Sequence, residues 1–536
     1  IRSSDWSSDV CSSDLKHSSS THLEKQMKNI QFSRRNLLGA SVAALASSAF
    51  AAKASANPAP VPQKWDEEVD VIVVGSGFAG LAAAYEAAKA GSKVIILEKM
   101  PTHGGNSIIN GGEMTAVGCP QQKAANIPDS VEQWKADTFA AGLGFNYPEK
   151  IQVLADNMLN NYNWLVNEIG VKFRPIITQD GGHRYPRSVI SEEGSGAGFV
   201  NAELAKCKEL GAQLRTRNYV ERIIRDPETG RVLGLQVRKG YRFPNPQSGT
   251  VQLIKANKGV VLCHGGFGAD IAYRQVQDPK LTDKFDTTNH RGATGELWKE
   301  AARNGVLMIQ ADRVQVVPWC SPYEKSMGNM WQFSQTCAAP YGIWVDVNTG
   351  KRFINELGNR KVRSDAIIAL NNIGHKCISL TDVRGAKQLE KNRPGTLPKL
   401  MATKGLLEFP TLEAVAKYYG TPYDVLKGEV DQYNANVRNK IEVDSLGKTY
   451  NADCTEMKTG PWYAAELMPK IHHCMGGIVT NPQGQALDAG DLKPIPGLYA
   501  AGEACGGVHG DCRLGCNAIL DCLVNGRIAG QSVAKQ

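Results

Sequence analysis

The chain has no Cys-x-x-Cys-His run, which excludes haem attachment through that motif, and no two cysteine or histidine pairs that together make a zinc-ligand pattern. It lacks about 20 uninterrupted apolar residues, the length a helix needs to cross a bilayer. There is no basic run and no nucleic-acid motif. The formal charge of +8 is a weak bias, because residues 1–26 carry −1 and residues 27–56 carry +4, leaving +5 on the rest. Aromatic residues make up only 7%, so a local cluster of them stands out. These absences set aside an integral membrane protein, a metal site and a nucleic-acid partner. What is present is packing material: 536 residues, 42% hydrophobic and with 54 glycines, are ample for a two-domain globular protein.

The N-terminus reads differently from the rest. Residues 3–14 repeat Ser-Ser-Asp, and Val10 to Leu15 looks like a translated sequencing-library adapter, so 1–26 is expected to be a translation artefact and the gene to start at Met27. From there Lys28, the run Ser33-Arg34-Arg35-Asn36-Leu37-Leu38, a mildly apolar stretch to Ala52 and Ala54-Ser55-Ala56 form a twin-arginine export signal over 27–56. Ser41, Ser47 and Ser48 dilute that stretch too far for a membrane anchor. The expected location is the periplasm. In a protein exported folded, the cysteines other than Cys11 are expected to be buried hydrophobes rather than disulfides.

The run Val69-Asp70-Val71-Ile72-Val73-Val74-Gly75-Ser76-Gly77-Phe78-Ala79-Gly80 is a buried strand entering Gly-x-Gly-x-x-Gly, and an Ala-rich helix follows. A second strand, Lys93 to Leu97, ends on Glu98, at the distance where an acid takes ribose hydroxyls. The glycines let the backbone approach a pyrophosphate at the helix start. This is a dinucleotide fingerprint with strand, helix, strand and acid in register. Three further glycine-rich returns follow: Lys99 through Gly104-Gly105-Asn106-Ser107 to Gly111-Gly112, then Val260 to Gly268 with Gly265, then Gly502-Glu503. That many returns suit a long, buried, permanently held FAD better than an exchanging nicotinamide. Near the C-terminus stands Cys512-Arg513-Leu514-Gly515-Cys516-Asn517-Ala518-Ile519, where Asn517, Ala518 and Ile519 are taken as cofactor contacts and Arg513 offers a planar, permanently charged fork for a carboxylate.

With these motifs the chain resembles the flavoprotein superfamily of fumarate reductases, succinate dehydrogenases and flavocytochromes c over roughly 68–536. The family's His-x-x-Met-Gly-Gly is His472-His473-Cys474-Met475-Gly476-Gly477, its Gly-Lys-Arg-Phe followed by Asn-Glu leads here to Arg360, and its Asn-Arg-Leu-Gly-Gly-Asn becomes 512–517. The resemblance implies an α/β fold, with a Rossmann-like FAD-binding domain (68–315 and 471–536) and an inserted α+β capping domain (316–470). It also implies hydride transfer from flavin N5 to the β-carbon of an activated alkene and protonation of the α-carbon by Arg360, while Arg513 and His472 hold the substrate carboxylate. Covalent members of the family attach FAD through a histidine near Gly104-Gly105. Here only His103 stands near, with Ser107 beyond, so non-covalent FAD is expected.

The chain departs from the dicarboxylate pattern. Val317 stands where a histidine belongs, and the run Thr336-Cys337-Ala338 lacks the glutamate and arginine that hold a second carboxylate and feed protons to the acid. Glu356, Lys361, Arg363 and Asp365 are the nearby substitutes. Trp319, Tyr323, Trp331, Phe333, Tyr341 and Trp344 concentrate in the same stretch, either as core or as pocket lining. The substrate pocket is therefore expected around Val317, Trp319, Thr336, Cys337, His472 and Arg513. The expected activity is reduction of an unsaturated monocarboxylate, an acrylate or arylacrylate and not fumarate. With no FMN segment, electrons are expected from a periplasmic cytochrome c or a quinol-linked redox protein. A dehydrogenase of the ketosteroid type and a flavin electron carrier are the alternatives.

Overall fold

The computed structural model describes residues 58–450 and 453–536. The expected artefact (1–26) and export signal (27–56) lie outside the described residues. Branched apolar side chains favour extended backbone, and Val71 to Val74 form the buried end of β1 (Glu67–Val74). The chain turns into α1 (Phe78–Lys89), an Ala-rich helix, and returns as β2 (Val94–Leu97). A helical excursion leads to β3 (Gln213–Arg215), followed by β4 (Asn218–Arg225), β5 (Val232–Lys239) and the long β6 (Thr250–Leu262). Next come β7 (Val314–Val317), β8 (Ile343–Asp346), α2 (Arg360–Asn372), β9 (Cys377–Asp382), β10 (Leu406–Phe409) and β11 (Trp462–Leu467). The chain closes with β12 (Lys470–Cys474), β13 (Gln485–Leu487), β14 (Pro494–Ala500) and α3 (Asn517–Ala534).

The main sheet runs β13-β14-β6-β1-β2-β3, with β1 parallel to β2 and β6, and β14 parallel to β6. Strand β6 serves two partners on one edge: its first half pairs antiparallel with β5, and Val260 to Leu262 pair with β14. Parallel strands covered on both faces carry unbroken apolar runs, and Val71, Ile72, Val73 and Val260 to Leu262 are fully buried. Helices α1 and α3 pack together closely. A Cβ at Gly526 would lie 2.4 Å from the Ala79 carbonyl, and one at Gly530 2.3 Å from that of Ala83. This contact fixes the loop preceding α3 beyond the start of α1.

The second sheet, β8-β9-β11-β10, is wholly antiparallel. Helices Leu412–Tyr419 and Tyr423–Arg438 pack on it around Val415, Leu426, Tyr433 and Trp462. Strands β7 and β12 pair with each other, so the boundaries expected at 315/316 and 470/471 both fall inside one strand pair. The architecture is α/β, a Rossmann-like layer with an inserted α+β cap. Among the described residues no helix is long and apolar enough to cross a membrane.

Candidate active site

A cavity of about 980 Å³, partly open to solvent, lies where β1, β2 and β6 end. Gly75, Gly77, Ala79, Glu98, Lys99, Gly104, Gly105, Asn106, Ser107, Gly265 and Glu503 all line it. Gly75 has φ +103, and a Cβ there would sit 2.3 Å from the Cys263 carbonyl, so the turn from β1 into α1 requires glycine. No side chain caps Gly77, and the first N–H groups of α1 are available to an anion apart from that of Phe78, which donates to Ser107 Oγ at 3.0 Å. The Glu98 carboxylate accepts from Ser76 Oγ at 2.7 Å and from the Met100 N–H at 2.8 Å, which fixes it at the end of β2. Lys99 pairs with Glu296 at 3.3 Å. The Asn106 amide donates to Asn289 at 3.0 Å and accepts the His290 N–H at 2.7 Å, so segment 289–296 forms part of the wall.

Two groups in this wall bear on its occupant. Burial pushes the Glu503 carboxyl above its usual range, although the Cys474 N–H donates to it at 2.9 Å. Burial pulls His264 down to about 3, so its ring is neutral, and neither ring nitrogen has a partner among the described residues. Buried polar atoms are rarely left unpaired. An orphaned neutral ring, an open helix start and an acid held at the strand end fit a flavin dinucleotide as the group that completes the cavity.

Seven expected cofactor contacts do not line it. Gly80 carries the close approach of helix and turn, with its Cβ position 2.0 Å from the Gly75 carbonyl. Gly112 is crowded by Ser191 and Ser195, and Gly502 by Ala79, while Gly111 meets nothing within 4 Å. The Asn517 amide is committed to structure: its oxygen accepts from Thr115 at 2.9 Å and Trp134 at 3.0 Å, and its nitrogen donates to Thr138 at 3.2 Å. Ile519 belongs to the core and Ala518 is half-buried.

At the other end, strand β12 and the loop before α3 bring His472 and Arg513 together. The loop is pinned by Gln315 Nε2 donating to the Arg513 carbonyl at 2.9 Å, by the His183 ring on the Gly515 carbonyl at 2.8 Å, and by the Thr115 N–H on that of Cys516 at 3.1 Å. Arg513 is 7% exposed. Its Nε has no partner among the described residues, and Nη1 reaches only the Leu514 carbonyl at 3.4 Å. Burial, and then the charge of Arg360, lower its pKa to about 10, which leaves it a cation at neutral pH. A buried charge without a partner costs on the order of 3–5 kcal/mol, which an arriving anion offsets.

Burial and then Arg513 and Arg360 push the His472 pKa well below its usual value, so the ring is neutral; its Nδ1 is bonded to Thr288 Oγ1 at 2.8 Å. Arg360 opens α2, donates from Nη2 to Asp180 Oδ2 at 2.9 Å, and lies 5.1 Å from the Trp319 ring centroid. The structure therefore gathers Arg360, Arg513 and His472, and adds Asp180, which no sequence motif marks. It also adds Thr288 and the unpartnered ring of His264, and segment 290–296, which resembles the family's Gly-Ala-Thr-Gly-Asp run, lines the cavity.

The expected substrate pocket is corrected in part. Val317 and Cys337 are fully buried, Val317 against Trp344 and Ile367, and Cys337 with its thiol on the Gly385 carbonyl at 3.2 Å. The Thr336 hydroxyl donates to the Gln332 carbonyl one helical turn back. Core packing holds Val317 and Cys337, a helical hydrogen bond holds the half-buried Thr336, and Trp319 adjoins Arg360. Phe333 and Trp344 are fully buried, Tyr341 nearly so, and Tyr323 is exposed with its hydroxyl on Glu466 at 2.9 Å. Arg393 covers Trp331. Every cysteine from Cys119 to Cys522 is a free thiol, and among the described residues no cluster of His, Cys, Asp and Glu could hold a metal.

The FAD binding domain family matches residues 70–519. The acrylate reductase flavoprotein subunit of Shewanella woodyi is 37% identical over 506 residues, which cover 93% of this chain and 97% of that protein. The urocanate reductase of Eggerthella lenta is 31% identical over 485 residues, 88% of this chain and 76% of that protein. The solved structure of the open conformation of a flavocytochrome c3 fumarate reductase superposes with a TM-score of 0.72 at 30% identity, covering 94% of this chain and 81% of that one.

Proposed function

The chain belongs to the FAD-binding flavoproteins of the fumarate reductase type and is an FAD-dependent oxidoreductase, and we propose from that premise that it reduces the carbon–carbon double bond of a small α,β-unsaturated monocarboxylate such as acrylate. The observation that carries this reading is Arg513, a buried cation with an unpaired donor beside a second arginine and a neutral histidine. Bound FAD supplies the hydride for the β-carbon. Arg513 takes the carboxylate through its planar fork, and His472, oriented by Thr288, adds a neutral hydrogen-bonding group at the same end. As charge moves from the α-carbon onto the carboxylate oxygens, Arg513 stabilises it in place. Arg360, held against Trp319, gives its proton to the α-carbon.

Two observations support a single, small carboxylate. Val317 and Cys337, where a second carboxylate would need partners, are apolar and buried. Most of the cap aromatics are core or surface, which leaves little apolar lining for a bulky acid. The names of the acrylate and urocanate reductases also point to monocarboxylic enoates. The Shewanella woodyi relative is called a flavoprotein subunit, which supports a separate electron donor. With no haem motif here, a periplasmic cytochrome c or another quinol-linked redox protein fits that role, and the twin-arginine pattern supports export. His103 contacts Asn201 at 3.4 Å and is not among the cavity-lining residues, which supports non-covalent FAD.

Oxidation of reduced viologen with a panel of enoates tests the reading. Acrylate is expected to oxidise the dye with formation of propanoate. A protein whose flavin accepts electrons but passes them to no enoate would be an electron carrier, and reduction of an acceptor dye by a 3-ketosteroid, with no enoate reduced, would place it with the ketosteroid dehydrogenases.

A further inference from the structure

An arginine that gives a proton to carbon in every turnover must be recharged, and the residues nearest Arg360 in sequence are engaged elsewhere. Glu356 is fully buried and bound by Arg352, by Lys448 and by the Trp344 N–H. Arg363 donates to Gln335 and to the Glu356 carbonyl, and Lys361 pairs with Asp365 at 2.7 Å. The carboxylate in contact with the Arg360 guanidinium comes from 180 residues away: Asp180 Oδ2, at 2.9 Å. About 30% of the Asp180 side chain remains accessible, against 13% for Arg360. It is seated deliberately close to the Arg513 loop, where a Cβ at Gly515 would lie 1.7 Å from Asp180 Oδ2.

We propose that Asp180 recharges Arg360, so that in this chain protons reach the acid through the loop preceding strand Ser188–Ile190. The inference rests on the reductase reading above. In each turnover the alkene loses its π bond, gains hydride from reduced flavin at the β-carbon and gains the Arg360 proton at the α-carbon. The Asp180 carboxylate, freed of its charged partner, then takes a proton from solvent and passes it to the neutral guanidine, so the net uptake is one solvent proton and both side chains end as they began.

The electrostatics around Asp180 suit a carrier of this kind. Burial raises its pKa, while Arg360, the Gly181 N–H, His183 and Arg513 together hold it below the usual carboxylate range. When Arg360 gives up its proton, the largest of these opposing charges disappears, and burial then favours proton uptake by Asp180. Two other groups face it: the Cys516 thiol at 3.8 Å, which burial keeps protonated, and Glu113, raised by burial and by Asp180 itself.

The test uses the FAD-loaded full chain with Asp180→Asn and Asp180→Glu, assayed with reduced viologen and acrylate. Asp180→Asn is expected to lower kcat roughly 10²-fold, the scale of a lost proton-transfer group, with KM within about threefold and an enlarged solvent deuterium effect on kcat. Asp180→Glu is expected to recover most of the rate. FAD content, melting temperature and propanoate affinity should stay at wild-type values in both. Wild-type kcat in Asp180→Asn overturns the proposal. So does an equal loss in Asn and Glu variants accompanied by weaker propanoate binding or lower melting temperature, which assigns Asp180 a structural role. A wild-type protein silent toward every enoate overturns the reductase reading, and this inference with it.

Discussion

The cofactor cavity and the reaction end solve opposite electrostatic problems. In the cavity, polar groups are largely satisfied by one another: Glu98 by Ser76 and Met100, Asn106 by Asn289 and His290, Lys99 by Glu296. The one conspicuous orphan, His264, is neutral. At the reaction end two arginines lie close enough for each other's charge to be felt, and one of them is buried with an open donor. The first region is prepared to hold a large partner permanently. The second keeps the charge of Arg513 without an ion-pair partner until a small anion arrives, which is where binding energy can be directed at a developing transition state.

The two regions should fail separately. Among the largest effects is that expected from Arg513→Ala: turnover of every acid falls by roughly a hundred- to several-thousand-fold, as loss of about 3–5 kcal/mol of paired buried charge implies, while flavin absorbance per protein is unchanged. Loss of FAD in that variant would mean that the regions are one unit. Arg360→Ala is expected to cost about 10²–10⁴-fold in kcat with substrate affinity largely kept, and Arg360→Lys to recover little, because an ammonium lacks the fork geometry. The converse variant is Gly75→Ala. Its left-handed φ and a Cβ 2.3 Å from a carbonyl should cost about 1–3 kcal/mol and deplete FAD, measured as flavin-to-protein ratio and melting temperature.

The smallest effect at mildly acidic pH is a pH dependence of stability. His264 titrates at about 3 when folded and near 6.5 when unfolded. Between those values the unfolded chain binds a proton that the native protein does not, so stability falls as pH drops below 6.5, by about 1.4 kcal/mol per pH unit for this group. Above 6.5 it contributes nothing. The melting temperature should decline through that window, and His264→Gln should flatten the decline.

The cavity was legible in the sequence because its determinants are local. An apolar run, glycines at fixed offsets and an acid ending the next strand specify strand, turn and helix without reference to distant residues, and Gly75, Gly77 and Glu98 stand where that logic puts them. The logic weakens where a side chain's direction depends on tertiary packing. Asn517 follows Arg513 in a motif, yet its amide is used by Thr115, Trp134 and Thr138. The missing charges at 317 and 337 were visible, but not that Val317 and Cys337 turn into the core. Asp180 was invisible altogether, since nothing in its own neighbourhood announces an arginine 180 positions later.

The central claim, that one carboxylate is held and a second is not, is tested most directly by the ratio of kcat/KM for acrylate to that for fumarate in the unaltered protein. An unpartnered second carboxylate costs on the order of 3–5 kcal/mol, so the ratio is predicted to be at least about 10². A ratio near one, with fumarate reduced as efficiently as the best monocarboxylate, would contradict the account.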